Sequence, residues 1–190
     1  EWTKVKGRFK EITFVEPVEQ LLYLASAQLQ ANNEFKPVNN ITTLYELAKE
    51  TRYVSKDFPL DTAVQLYPLD LFSAYTITTA IQRYGQNERS LFTFLAAKGT
   101  NSISEFEPAE HLTYNLQKVY DYVLYNFYSY LKDANADSMS WSTIQVSIER
   151  VEGQDWSNEE EMLQAVQLVK AIGLLNLFGT AGFKLTERNL

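Results

Sequence analysis

Apolar positions along the chain recur mostly at helical spacing. After Pro17, residues Val18, Leu21, Leu22, Ala25 and Leu29 fall at i, i+3, i+4, i+7 and i+11, which predicts one buried helix face ending near Asn32-Asn33. Pro17 suits the first helical position, where a missing N–H leaves no bond unmade. A stretch rich in Asn and Pro, Asn32 to Thr42, leads to a short helix through Leu44, Leu47 and Ala48, and a second break follows at Lys56-Asp57-Phe58-Pro59. Pro68 then opens a helix expected over Leu69 to Tyr84. Gly85 takes the position just past its end, where a left-handed backbone suits glycine, and Asn87 the N-cap of a helix from Glu88 to Ala97. Together they predict a helix–turn–helix corner.

The longest helix is expected from about Pro108 to Asp133. Leu112, Leu116, Val119, Val123, Phe127 and Tyr130 form its core stripe, while Tyr114, Tyr122, Tyr125 and Tyr128 coat its other sides, so this helix is central or packs against a partner. Asp133 to Ser140 is small and polar, a candidate hinge. Beyond it the pattern predicts a helix from Trp141 to about Val151, then a last one opened by a capping box, Ser157 with Glu160, and striped by Met162, Ala165, Val166 and Val169. It runs into Ile172-Gly173-Leu174-Leu175-Asn176-Leu177-Phe178-Gly179, after which Gly182 turns into Phe183-Lys184-Leu185. At the other end Lys4, Lys6, Arg8 and Lys10 alternate with Val5 and Phe9, an extended segment or short strand.

These elements define an all-α multi-helix bundle in three parts: a connector over 1–15, a helical domain over 16–133 and a second helical sub-bundle over 134–190. At 190 residues and 45% hydrophobic, the chain has material for a sizeable core. Its net charge of −7 lacks the basic footprint of a nucleic-acid binder. The absence of cysteine excludes disulfides and thiolate metal sites and is compatible with a cytoplasmic location. No apolar run reaches the roughly 18–20 residues of a membrane span, and the N-terminus shows neither a signal-peptide pattern nor an initiator methionine. The chain starts and stops in mid-pattern, as an excised piece of a larger protein would.

Candidate chemistry narrows quickly. The single histidine, His111, has no histidine or cysteine companion and reads as a solvated surface residue, so no metal site is expected. Glu159-Glu160-Glu161 lies in a first helical turn, where carboxylates complement the helix dipole. Neither GxxxxGK[ST] nor GxGxxG occurs, which rules out a complete P-loop nucleotide hydrolase within these residues and leaves no catalytic residue to assign. The exception is Arg89, a cation in the first turn of a helix whose exposed N–H groups are already positive. One reading pairs it with Glu88; the other makes arginine and dipole together an anion site with bidentate donors.

The succession Trp2 to Phe9 (WTKVKGRF), Ile12 to Leu21 (ITFVEPVEQL), Tyr67-Pro68-Leu69, Arg83 to Leu95 (RYGQNERSLFTFL) and Lys170 to Gly182 (KAIGLLNLFGTAG) resembles the helical region of large bacterial P-loop ATPases of the AAA+ kind. Many of these are uncharacterised ATP-binding proteins, some linked to anti-phage defence. The resemblance implies a lid-like helical domain whose Arg89, beside Asn87 in the Gly-Gln-Asn-Glu-Arg motif, acts as a sensor 2 arginine on the nucleotide's terminal phosphates. It implies that Arg8 is the finger a neighbouring subunit offers, which requires a homo-oligomer. ATP with Mg would belong to the parent protein, bound by an ATPase core upstream in the same chain, with no cofactor for this stretch alone. Where the related proteins usually carry a histidine and a second proline after Tyr-Pro-Leu, this chain has Asp70 and Leu71.

Two other readings compete. One is a helical protein–protein interaction module without nucleotide contact, built on the aromatic helix. The other is a DNA-reading unit from Trp141 to Leu190, whose two helices and terminal turn suggest the start of a winged helix. The acidic run at Glu159 weakens the second, and neither nucleic acid nor membrane is an expected partner.

Overall fold

The structure, a computed structural model, describes residues 16–30, 40–85, 91–96, 98–107, 112–132 and 136–180. The connector over 1–15, the candidate residues Arg8, Asn87 and Arg89, and His111 lie outside the described residues. Within them the fold is all-α. Eight helices run in order α1 Val18–Gln30, α2 Ile41–Glu50, α3 Leu60–Gln65, α4 Leu71–Tyr84, α5 Leu91–Ala96, α6 Leu116–Lys132, α7 Ser138–Glu152 and α8 Glu159–Phe178. A 3₁₀ turn, Ile103–Glu105, precedes α6. The bundle is closed beside α4 by one parallel bridge, in which the Tyr114 N–H donates to the Pro68 carbonyl at 2.7 Å.

The central element is α4, with ten of its fourteen residues buried. It packs against α1, α2, α6 and α8. Small and β-branched residues (Ala74, Thr76, Ile77, Thr78, Ala80) let those neighbours approach closely, and the Thr78 hydroxyl is satisfied by the Ala74 carbonyl one turn back. Leu22, Ile77, Val119, Val123, Trp141 and Leu174 belong to one apolar core that continues across the segment read as a hinge. Within that segment α7 already begins at Ser138, ahead of the expected Trp141.

Several boundaries move for identifiable reasons. The helix expected from Leu69 starts at Leu71, because Asp70 is its N-cap: one carboxylate oxygen accepts the Ser73 N–H at 2.8 Å and the other the Ser73 hydroxyl at 2.9 Å. The aromatic helix starts at Leu116 rather than Pro108, since Leu112 to Asn115 are extended and Tyr114 is tied to Pro68. That leaves α8, at 20 residues, as the longest helix among the described residues. Its cap is Asn158, which accepts the Glu161 N–H at 2.8 Å, one residue beyond the expected Ser157 box. Gly85 ends α4 with an extended backbone, φ −68° and ψ 116°, so its expected left-handed conformation does not occur.

Left-handed backbone occurs instead on Asn101, φ 63°, and at the end of α2 on Arg52, φ 61°. The Tyr53 N–H donates to the Ala48 carbonyl (2.8 Å) and the Arg52 N–H to the Lys49 carbonyl (3.2 Å), a Schellman closure. A left-handed backbone costs a residue with a side chain about 1–2 kcal/mol, and the extra freedom that glycine has in the unfolded chain offsets about 0.4–1 kcal/mol of that on substitution, a net of about 0.5–1 kcal/mol in favour of glycine. Arg52→Gly is therefore expected to raise the unfolding free energy by about that amount in urea denaturation; a loss of stability would mean that the exposed guanidinium contributes more than the backbone strain removes.

The last helix is unusual. Among the described helices α8 alone is long and apolar enough to cross a membrane by length and composition, at mean hydropathy 1.2, and only 28% of that apolar window is buried. One such helix is weak support for a span. Leu163 and Leu168 stand 48% and 45% exposed. Its inner side packs on α6 and α7, where the Lys170 ammonium meets Asp121 at 2.7 Å.

Candidate functional site: the junction at the end of α4

The last three residues of α4 bond two separate parts of the molecule. Gln82 donates its amide to the Glu16 carbonyl at 2.7 Å, at the entrance to α1. Arg83 donates to the Asp137 carboxylate at 3.1 Å and to the Leu177 carbonyl at 3.2 Å, and its guanidinium lies 4.9 Å from the centroid of the Phe178 ring. Tyr84 is buried and donates its hydroxyl to the same Asp137 oxygen at 2.8 Å, while accepting the Trp141 indole N–H at 3.0 Å. Its ring meets Phe127 and Tyr130 of α6, Trp141 of α7 and Phe178 of α8 at centroid distances of 5.5 to 6.4 Å.

The chemistry of the junction is that of a fixed link rather than a catalyst. Burial, countered in part by the Trp141 hydrogen bond, holds the Tyr84 phenol well above its ordinary value. It therefore stays protonated at physiological pH and is a permanent donor to Asp137. The Arg83–Asp137 pair is partly exposed, which limits its own contribution to stability. Its value is positional, because the guanidinium also holds the Leu177 carbonyl in the last turn of α8, as cations near helix C-termini do. Gln82, Arg83 and Tyr84 directly precede the Gly85-to-Arg89 motif, and α5 resumes at Leu91.

The sequence pattern did not single out Asp137, Trp141 or the bonding of Arg83. Trp141 enters the pattern only as the expected start of a helix, and pairing an acid in a short polar segment with a tyrosine 53 positions earlier needs the tertiary fold.

The two residues that depart from the resembled pattern have structural roles. Leu71 is buried in the first turn of α4. Asp70, 7% exposed, lines a groove of about 310 Å³ between α2, α4, α6 and α8. Desolvation raises its carboxyl above the ordinary carboxylate range, against the lowering effect of the Ser73 and Thr113 hydrogen bonds. A folded-state value above the unfolded one means that the native state binds the proton more tightly, so stability falls as pH rises from about 4 through the folded value. Asp70→Asn keeps the cap and removes the charge. Its stability is expected to match wild type in acid and to exceed it at neutral pH, read from denaturation midpoints across that range. A gap that shrinks with rising pH would reverse the assignment.

The chain matches no family model, no curated protein and no solved structure.

Proposed function

We propose that this chain is the non-catalytic helical part of a larger ATP-binding protein, clamping nucleotide held by an upstream P-loop core and relaying its state to α7 and α8. The observation that carries the reading is the bonding of Gln82, Arg83 and Tyr84. The residues next to the Gly-Gln-Asn-Glu-Arg motif are tied to the entrance of α1 on one side and to Asp137, Trp141 and Leu177 on the other. A shift of the motif on binding or losing a terminal phosphate would pull on both. The order of motifs shared with AAA+ ATPases supports the same reading. In it, Arg89 and Asn87 face the nucleotide, Arg8 serves a neighbouring subunit of a cytoplasmic homo-oligomer, and ATP with Mg belongs to the parent core.

The deciding experiment is ATP turnover by the intact gene product. Arg89→Ala is expected to lower it at least about tenfold, or ~1.4 kcal/mol in the barrier, with the melting temperature unchanged. Equal turnover at matched folding, or an upstream segment without a P-loop, removes the reading. The alternative, a helical protein–protein interaction module without nucleotide contact, is favoured by one observation of its own: the partly exposed apolar surface of α8.

A further inference from the structure

The groove that Asp70 lines shares α4 and α8 with the Arg83–Asp137 junction but has a different lining and a different chemistry. Its banks are α2, through Leu47, and α8, through Gln164, Gln167, Leu168 and Leu175. Both helices pack on α4 and leave the space between them open. The volume of about 310 Å³ is at the lower end of ligand-sized cavities, and the groove is open along α8. Seven of the twelve lining residues are apolar, five of them leucine, the other polar residues are neutral amides, and Asp70 is the one charged residue in the lining.

Three features point to the same occupant. First, Gln164, Gln167, Leu168 and Leu175 share one face of α8, with Glu160 a turn before them receiving the Gln164 amide. Leu163, 48% exposed, extends the apolar surface of half-exposed Leu168 beyond the groove, as a bundle helix lacking one neighbour would. Second, the donors that meet Asp70 among the described residues are neutral, the Ser73 N–H and hydroxyl, the Phe72 backbone and the Thr113 hydroxyl, and no cation among those residues pairs with it. A buried carboxylate in that state gains from a cation brought to it in a dry setting. Third, the absence of any lysine or arginine from the lining, with an acid at the floor and another at the α8 end, disfavours phosphates and anionic lipid headgroups.

The geometry points to a docking groove for an amphipathic helix of a partner protein, which lies between α2 and α8 and directs one lysine or arginine from its apolar face to Asp70. The leucines take the helix's apolar residues at i, i+3, i+4 and i+7 spacing. The Gln164 and Gln167 amides meet its polar flank. The inference goes beyond the nucleotide reading and stands without it.

The test uses the full 190-residue chain and two synthetic leucine- and glutamine-rich amphipathic helices of about 18 residues, ~27 Å long. They are identical except for one central lysine or norleucine on the apolar face. Fluorescence anisotropy is expected to show the lysine peptide binding about tenfold more tightly or better. Asp70→Asn, which keeps the cap, should bring the two peptides to equal affinity, and Leu168→Glu, a half-exposed position, should weaken both while the circular dichroism stays native. Equal affinity on the wild-type chain, a lysine preference that survives Asp70→Asn, or no binding of either peptide overturns the proposal. So does binding of 2-phenylethylamine without the peptides, which makes the groove a small-molecule site, or binding to phosphatidylserine vesicles abolished by Leu168→Glu, which assigns the α8 surface to lipid.

Discussion

Trp141→Ala is expected to lower the unfolding free energy by about 3–5 kcal/mol, the range for truncating a fully buried tryptophan. The indole is 2% exposed and tilted against Tyr120 at 5.5 Å and edge-on to Tyr84 at 6.4 Å. Truncation opens a cavity where α4, α6 and α7 meet, and leaves the Tyr84 hydroxyl without its buried donor. Total stabilities are about 5–15 kcal/mol, so this one change removes a large part of the margin. The melting temperature should fall by roughly 6–20 °C for a chain of this size. Trp141→Phe, which keeps most of the packing and loses the N–H, should cost less than the alanine variant. A loss below about 1 kcal/mol for Trp141→Ala would mean that α7 is not part of the cooperative core.

The second large effect is expected at Gly173. A Cβ placed there would lie 2.7 Å from Cγ1 and Cδ1 of Ile144 and 3.0 Å from its Cγ2. Glycine inside a helix ordinarily costs about 0.5–1 kcal/mol relative to alanine. Here it permits the close crossing of α7 and α8. Cγ1 and Cγ2 are fixed directly to the Ile144 Cβ and cannot swing clear as a flexible side-chain end would. Gly173→Val should therefore destabilise by about 1–3 kcal/mol through overpacking. Combining it with Ile144→Ala should recover part of the loss, giving a coupling of at least about 0.5 kcal/mol in a double-mutant cycle. Strictly additive losses would mean that α7 and α8 separate without resistance.

Legibility from sequence differed by kind of feature. The face of α1, with Leu22, Ala25 and Leu29 buried, follows from spacing alone, because a helix of any context brings those positions together. The aromatic helix was over-extended toward Pro108 because Leu112 and Tyr114 fit its periodicity. Tyr114 does reach the core, but from an extended segment held by the Pro68 carbonyl, and its hydroxyl donates to the Asn101 carbonyl. Leu112, assigned to the core stripe, is 54% exposed, and Tyr114, assigned to another side, is buried, since periodicity registers which residues are apolar and not how the backbone delivers them. Of the four tyrosines assigned to that helix's other sides, Tyr114 and Tyr122 are buried, while Tyr125 and Tyr128 are exposed.

Among the capping signals, Asp70 was noticed only as a departure from a resembled pattern. Its carboxylate decides where α4 starts. The Ser157 box lost to Asn158, since either side chain can cap a helix and one residue's difference in where the chain turns selects between them. Gly85 shows the same limit. A glycine after a helix permits a left-handed closure without requiring it, while Arg52 adopts one because the hydrogen bonds at the end of α2 and the burial of Tyr53 hold it there.

The all-α class, the approximate span of the helices other than α3, and the lack of a P-loop were legible from the residues, because these depend on local periodicity and on motifs contiguous in the chain; the short α3, Leu60–Gln65, was missed between the Pro59 break and Pro68. Tertiary structure alone decided that α4 is the central helix, that Gln82, Arg83 and Tyr84 join Glu16 to Asp137 and Leu177, and that Asp70 sits on the floor of a groove beside a partly covered α8. Each depends on contacts between positions tens of residues apart, and those are chosen by how helices of similar pattern share one core.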